Sequence, residues 1–451
     1  MLPENWDVRH SFAGRRAPPR RLPQATQQPP SSEEKTTVQA LEPRPAVVSH
    51  VPGRQGRLPS LSPRAQHFPK DGPMIAALVL LGPLTVSAPA GEDGFQMQIY
   101  GRYQVDWQDF DPDADVSSLM PPLVDELRLR SLRLGVQGQF AAQLPYRFDY
   151  ELKGVDYRRP RDIWLGYEGL ASASVKAGHI KEPFGLERQG SAKNALMIEL
   201  GLVNALTPGR NLGILFSDPV KGGSMTWAAG FFRTTQHLHE WDADGEQAIT
   251  GRLTAIPLEQ EAKERLVHLG ASFSRRSPDG DPVGFVTDPE AAFAPDYLET
   301  GTVAADAVNL IGLEGAYIEG PCTIQGEWMK AHVDAVSGAN PSVSAYYLTV
   351  GHFLSSGDRR AYEKDRGRFG GVTPVSAWGA GGGGAWEAVA RYSYADFQSG
   401  PAFSGSELWT LGVGINWYLD ANARLSLNMV TADLNKVGDT DMLLARFQVA
   451  F

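Results

Sequence analysis

The sequence predicts an all-β fold, a transmembrane antiparallel β-barrel of sixteen strands. Three observations predict it. From Phe95 to Phe451 the chain repeats segments of about ten residues in which apolar and polar side chains alternate. No stretch from residue 91 onward stays apolar for the ~18 residues that a membrane helix needs. The connections alternate between short turns and longer loops, as they do where one barrel end is tight and the other is elaborated.

The segments, with loose ends, are 95–109, 126–140, 146–153, 161–169, 173–181, 211–217, 224–234 and 248–257 in the first half. The second half gives 265–276, 308–318, 322–332, 343–354, 385–397, 406–418, 424–434 and 441–451. The last is the clearest. Leu443, Ala445, Phe447, Val449 and Phe451 share one face, and Leu444, Arg446, Gln448 and Ala450 the other. Arg147, Asp149, Glu151 and Lys153 oppose Phe148, Tyr150 and Leu152 in the same way. Successive charged positions on one face suit a watery lumen. Aromatics such as Trp107, Trp328, Tyr346, Tyr347, Trp386, Trp417 and Tyr418 sit near segment ends. They read either as interfacial girdles or as ordinary strand aromatics. One connection breaks the alternation: 355–384 is long yet falls on the turn side.

Composition agrees with short strands and polar turns: 48 Gly, 10% aromatic and 21% charged residues in 451. Cys322 is the single cysteine, so no internal disulfide and no cysteine-based zinc site can form. Residues 1–73 are rich in Pro, Arg, Gln and Ser without periodicity. They read as disordered or as sequence upstream of the true start. Met74–Val86 has the length of a signal-peptide h-region, and Ala88-Pro89-Ala90 is an A-x-A cleavage pattern. The mature domain is then 91–451, exported to the bacterial outer membrane. Residues 1–90 carry about +5 and the remainder about −15. That acidic balance argues against a nucleic-acid partner, and it also stands against simple attraction of anions.

Six pieces resemble the phosphate-selective porin O/P family. They are Leu127–Gly135 (LRLRSLRLG), Ala177–Arg188 (AGHIKEPFGLER), Thr207–Gly213 (TPGRNLG), Trp227–Arg233 (WAAGFFR), Trp386–Tyr394 (WEAVARYSY) and Gly412–Leu419 (GVGINWYL). The resemblance implies a sixteen-stranded barrel, a homotrimer, long connections folded into each pore, and passage of inorganic anions such as phosphate or polyphosphate. It also implies that assembly machinery reads the terminal Phe451.

An anion pore needs Arg and Lys along a narrow lumen; Arg adds planar, bidentate contact to phosphate oxygens. Arg128 and Arg130 share a face of the second segment, while Arg133 has the other parity. A bulge near Ser131 would aim all three inward. Lys181, Arg188, Lys193 and Arg210 lie on or beside the 182–210 connection, the expected constriction. Glu182, Glu187 and Glu199 there either neutralise the bases or position them. Arg359, Arg360, Lys364, Arg366 and Arg368 form a third basic group, either a guide for anions or a solvated turn. Acidic loops such as Asp109–Asp115 suit divalent cations bridging lipopolysaccharide, but lack the glycine and glutamate of an EF-hand.

There is no P-loop and no G-x-S-x-G, so no catalytic residue, metal ligand or cofactor is assigned. His237 and His239 have no third ligand nearby. An outer-wall hydrolase would need a Ser–His pair there; His179 and His268 are candidates by location alone. The alternatives to an anion channel are a general porin for other small solutes and a plugged barrel with an enzymatic or structural role.

Overall fold

A computed structural model describes residues 84–87, 94–154, 159–220, 223–234, 246–379, 381–400 and 402–451. The chain divides into two units, and the smaller, Arg15–Met74, lies wholly outside these residues. The expected N-terminal extension, most of the expected signal segment, and His237 and His239 also lie outside them.

Among the described residues sixteen antiparallel strands close into a barrel. The first eight are β1 (Gln96–Pro112), β2 (Glu126–Gln139), β3 (Pro145–Gly154), β4 (Arg159–Tyr167), β5 (Ser174–Lys181), β6 (Arg210–Val220), β7 (Met225–Arg233) and β8 (Gln247–Gln260). The second eight are β9 (Arg265–Ser277), β10 (Val303–Glu319), β11 (Cys322–Ala335), β12 (Ser342–Phe353), β13 (Ala385–Ser399), β14 (Phe403–Tyr418), β15 (Ala423–Leu434) and β16 (Gly438–Ala450). Each pairs with its chain neighbour, and β16 returns to β1 from Ala450↔Arg102 to Thr440↔Pro112. Closure removes the sheet edge, so the strand backbone groups pair within the barrel. The last residue completes the seam: Gly101 N donates to Phe451 O at 2.8 Å and Phe451 N to Gly101 O at 3.1 Å. A Cβ on Gly101 would meet the Phe451 ring at 2.4 Å. Leu84–Ser87 adds a short strand to β1 beyond the end of β16.

The alternation separates two surfaces. Ile249, Leu253, Leu269, Phe273, Leu313, Leu348 and Leu411 are half exposed on the outer wall, as lipid requires. Their neighbours Thr250, Arg252, Ser272, Ser274, Glu314 and Thr410 are buried on the inner wall. Trp107, Trp328, Tyr346 and Trp386 join the outer surface. Tyr347 and Tyr418, read as possible girdle residues, face inward instead and are 2% and 5% exposed. His268, read as a possible outer-wall group, is buried against Glu314 and Tyr362.

All sixteen expected segments are strands. The differences lie in the connections. Residues 110–125, expected as loop, contain α1 (Ala114–Leu119), capped by Asp113, whose carboxylate accepts from Val116 N at 2.9 Å. Strand β10 begins at Val303 rather than near 308.

The lumen is not an open cylinder. The 182–209 and 278–302 connections both fold into it and share a core of Phe184, Met197, Leu202, Leu206, Phe285 and Leu298 with the wall residues Met329 and Ala345. The 354–384 connection enters from the end that carries the C-terminus. There Trp378 N donates to Leu419 O at 2.7 Å and Arg359 pairs with Glu264, both on turns of that end. Its position on the turn side is therefore real, and it is a third insert rather than a solvated turn.

Candidate functional site

The constriction loop is stitched to the wall almost residue by residue. Gln448 Nε2 donates to Lys193 O at 3.1 Å, Arg360 Nη1 to Asn194 O at 2.6 Å, and Arg424 Nη1 to Ala195 O at 2.8 Å. Asn416 Nδ2 reaches Leu196 O at 2.8 Å, Arg446 Nη1 Ile198 O at 2.6 Å, and Arg391 Nη1 Glu199 O at 2.8 Å. A loop with no sheet partners thus has its buried carbonyls satisfied by wall side chains, as buried backbone requires.

Its three carboxylates complete the attachment. Glu182 accepts from Arg276 at 3.1 Å and Asn211 at 2.6 Å. Glu187 meets Arg391 and accepts from Gly201 N at 2.9 Å. Glu199 meets Arg446 at 2.8 Å and Arg130 at 3.3 Å. Besides positioning Arg130 through Glu199, these acids anchor the loop to the distant arginines Arg276, Arg391 and Arg446. The turn at Pro183–Leu186 fits the wall closely. Glu327 accepts from Leu186 N at 2.7 Å and Glu187 N at 2.8 Å. Gly185 sits at φ +70°, where a Cβ would meet Glu327 Oε2 at 2.6 Å.

Strands β1–β6 differ from the rest of the wall. Among the described residues, Arg102, Arg133, Arg147, Arg161, Lys181 and Arg210 converge there on three carboxylates, Asp149, Glu151 and Asp162, while the buried Asp106 of β1 is taken by Arg446. Glu151 serves Arg133 at 2.7 Å and Arg161 at 3.9 Å. Asp149 serves Arg147 at 3.4 Å and Arg133 at 3.6 Å. Asp162 serves Arg210 at 2.9 Å and Arg147 at 4.0 Å. Arg102 donates to the Ser131 hydroxyl at 3.1 Å and shares the field of Glu151, and Lys181 donates to the carbonyls of Arg188 and Gly190 at 2.7 and 3.0 Å and shares the field of Asp162. The register sets Arg102 opposite Arg133 and Lys181 opposite Arg210. Like charges so placed weaken a sheet.

On the rest of the wall, among the described residues, the inward arginines other than Arg424 each meet a carboxylate. Arg252 pairs with Glu314, Arg276 with Glu182 and Glu246, Arg391 with Glu187 and Glu290, and Arg446 with Asp106 and Glu199. The basic excess therefore lies along β1–β6.

The seven residues singled out from sequence divide between these settings. Arg133, Lys181 and Arg210 belong to the basic wall. Arg188 lends its carbonyl to Lys181, and its charge acts on the same lysine. Lys193 is exposed inside the lumen. Desolvation by surrounding wall atoms lowers its pKa, and Arg102 and Arg147 lower it further. Arg130 belongs to the loop anchor at Glu199. Arg128 stands apart, paired with Glu126 and 4.9 Å over the Phe293 ring. The expected bulge exists and falls on Arg130: Gln104 pairs with Ser131 but Val105 with Leu129. A second, at Leu152, realigns β3.

Sequence reading missed Arg102, Arg147 and Arg161 as site residues. The signal was available for two of them. Arg147 lies on the charged face of its segment, and Arg102 shares parity with Gln98, Gln104 and Asp106. Arg161 is turned inward by an irregularity between Phe148 and Tyr150 in the β3–β4 pairing, which periodicity does not reveal.

In the third basic group, Arg360 is buried against Glu387 at 2.7 Å and Arg368 pairs with Glu363 at 2.8 Å. Both tie the third insert to the constriction loop, Arg360 at Asn194 O and Arg368 Nη1 at Gln189 O, 3.1 Å. No group of three or more His, Cys, Asp or Glu side chains suited to a metal ion occurs among the described residues.

Comparison with known proteins follows the same outline. Residues 97–451 match the family described as phosphate-selective porin O and P. Porin O of Pseudomonas aeruginosa is 20% identical over 396 residues, covering 79% of this chain and 89% of that protein. Among solved structures, outer-membrane expressed OmpT of Vibrio cholerae superposes with a TM-score of 0.51 at 11% identity, over 80% of this chain and 100% of that one. An anion-selective porin from Comamonas acidovorans aligns at 13% identity and a TM-score of 0.47, over 79% and 100%. The likeness to OmpT shows the barrel fold, and the family match makes this an outer-membrane channel for small solutes. The chain belongs to the family of phosphate-selective porins O and P.

Proposed function

We propose that this channel selects small anions, with phosphate and polyphosphate as the substrate class. One observation supports the reading most: six cations share three carboxylates along β1–β6, with two like-charged pairs facing each other across strands. Such an arrangement is destabilising for an empty wall and favourable for a wall that meets anions. Arg133, Arg147 and Arg210 offer planar donors to phosphate oxygens, Lys181, Arg188 and Lys193 flank them, and Arg102 competes with Arg133 and Arg161 for the one Glu151 carboxylate. Several partly compensated sites in a row bind weakly enough to release the ion. Arg128 and Arg130 act outside this row, near the 278–302 insert and the loop anchor.

Further parts of the reading follow from the family. The working form is a homotrimer in outer-membrane lipid, with lipopolysaccharide and its bridging divalent cations against the acidic loops. Residues 74–90 are the signal peptide, removed on export together with the short Leu84–Ser87 strand; residues 1–73 are a disordered extension or sequence upstream of the true start; and 91–451 is the mature barrel. The assembly machinery reads Phe451, whose backbone then closes the β1–β16 seam.

The test is single-channel conductance in planar bilayers, with reversal potential across a salt gradient and phosphate titrated in. The expected result is anion preference and a chloride current that phosphate blocks. Replacing Arg133 and Lys181 together by Gln should weaken both. Cation preference in the intact channel would overturn the proposal and favour a general porin. No conductance from a folded trimer would favour a plugged barrel.

A further inference from the structure

The third insert leaves the lumen and crosses the rim before it joins β13. Its inner half is tied to the wall and the constriction loop through Arg360 and Arg368. Its outer half is a compact turn, closed by Gly384 N to Ser376 O at 2.9 Å and held to the rim by Trp378 N to Leu419 O at 2.7 Å. That turn sets the Trp378 indole edge-on to Trp417, with ring centres 6.0 Å apart. Trp417 in turn stacks on Trp386 at 5.0 Å, and the two are directly opposite in the β13–β14 register. The Trp417 Nε1 donates to Gly383 O at 2.9 Å, so the insert is bonded to an outward-facing barrel residue.

Trp386 and Trp417 lie on the outward face, in line with Tyr392, Leu411 and Val413 of the lipid-facing wall. Trp378 is different. It belongs to no barrel strand, so the alternation of the sheet does not demand an apolar residue there. It is 57% exposed and Val375 beside it 69% exposed. An indole left outside any core, continuous with a surface that faces lipid, suits the membrane–water interface, where the ring meets acyl chains and the N–H stays wet.

We propose that Trp378 inserts into the interfacial layer of the leaflet at the C-terminal end of the barrel and holds the third insert from outside. The occupant is the bilayer lipid, not a protein partner. The insert is then fixed at two points, in the lumen through Arg360 and in the membrane through Trp378. Slackening the outer attachment frees the inner half to fluctuate against Gln189 and Asn194 of the constriction loop.

The experiment uses the full barrel in bilayers of lipids brominated either near the headgroup end or near the terminus of the acyl chain. The difference in emission between the native protein and Trp378→Phe isolates Trp378. Its emission should be quenched about twofold more strongly by the shallow bromines than by the deep ones, and little by aqueous acrylamide. Strong acrylamide quenching with no effect of bromine would place the indole in water and overturn the proposal. If Trp378→Phe does not assemble, a spin label at Val375→Cys in a Cys322→Ser background gives the same answer. Relaxation by oxygen over a water-soluble nickel complex supports the membrane site, and the reverse refutes it. Neither readout depends on which ions the pore prefers.

Discussion

Arg391 is the strut on which the constriction loop most visibly depends. It is 1% exposed. It bonds Glu187, donates to Glu199 O at 2.8 Å and to Thr349 at 2.9 Å, lies 3.6 Å from Glu290, and sits 5.1 Å over the Tyr347 ring. Arg391→Met keeps much of the length and removes the charge. Two buried carboxylates then lose their cation. Glu187 keeps Gly201 N and Asn204 Nδ2, and Glu290 keeps Leu202 N at 3.1 Å and Ser393 Oγ at 2.5 Å. Breaking a buried pair from one side costs about 3–5 kcal/mol. At 1.4 kcal/mol per decade, the docked-to-undocked ratio of the loop should fall by roughly two to three and a half decades. The assay is single-channel recording, in which Arg391→Met should add dwell time in a noisier, larger-conductance level. Burial already raises the Glu290 pKa, although Arg391 opposes it. Without Arg391 it rises further. A raised acid penalises the docked state above its folded pKa, and that penalty is relieved as pH falls through it. The extra noise should therefore subside on acidification, and Glu187→Gln with Glu290→Gln should suppress it at neutral pH. Recordings of Arg391→Met that match the native channel at neutral pH would refute the claim that this strut holds the loop.

Two other predictions concern the loop. The depressed Lys193 ammonium should lose its proton at lower pH than an ordinary lysine, so anion conductance should decline as pH rises toward the alkaline side; Lys193→Arg should remove that decline. Gly185→Ala places a Cβ at φ +70° and 2.6 Å from Glu327. It should cost about 1–3 kcal/mol, read as a lower urea midpoint for the folded barrel or as a disturbed open level.

Strand positions were legible because lipid on one side and a polar lumen on the other impose a period of two on every segment. The same rule marked Glu151 and Arg446 as inward. What it could not give is partnership. Arg446 meets Asp106 across 340 residues of sequence, and Arg391 meets Glu187 across 204. Whether an inward arginine is neutral strut or free-acting cation is decided by such distant pairings. Bulges were the second obstacle. The extra residue at Arg130 lets Leu127 and Leu134, of opposite parity, both face outward, and sends Arg130 to Glu199 rather than into the basic row. Nothing in the sequence marks which long connection enters the pore: the buried residues of the 278–302 insert, Val283, Phe285, Ala291 and Leu298, follow no period. They pack against another loop instead of a sheet.

The net charge of −10 is a poor guide to the pore for the same reason. Glu182, Glu187, Glu199 and Glu290 sit on inserts and each meets a wall arginine, so these acids cancel charge where they stand. Glu314 and Glu387 do likewise for Arg252 and Arg360. Replacing such pairs by apolar residues is often neutral for stability, so what they contribute here is geometry: they fix a loop that has no sheet to join. Acids on outer loops are screened beyond about 8 Å at physiological ionic strength. An ion in the lumen is governed instead by the nearest wall groups, and along β1–β6 those are cations outnumbering carboxylates. The acids that make the chain acidic thus also build the frame that leaves one wall basic.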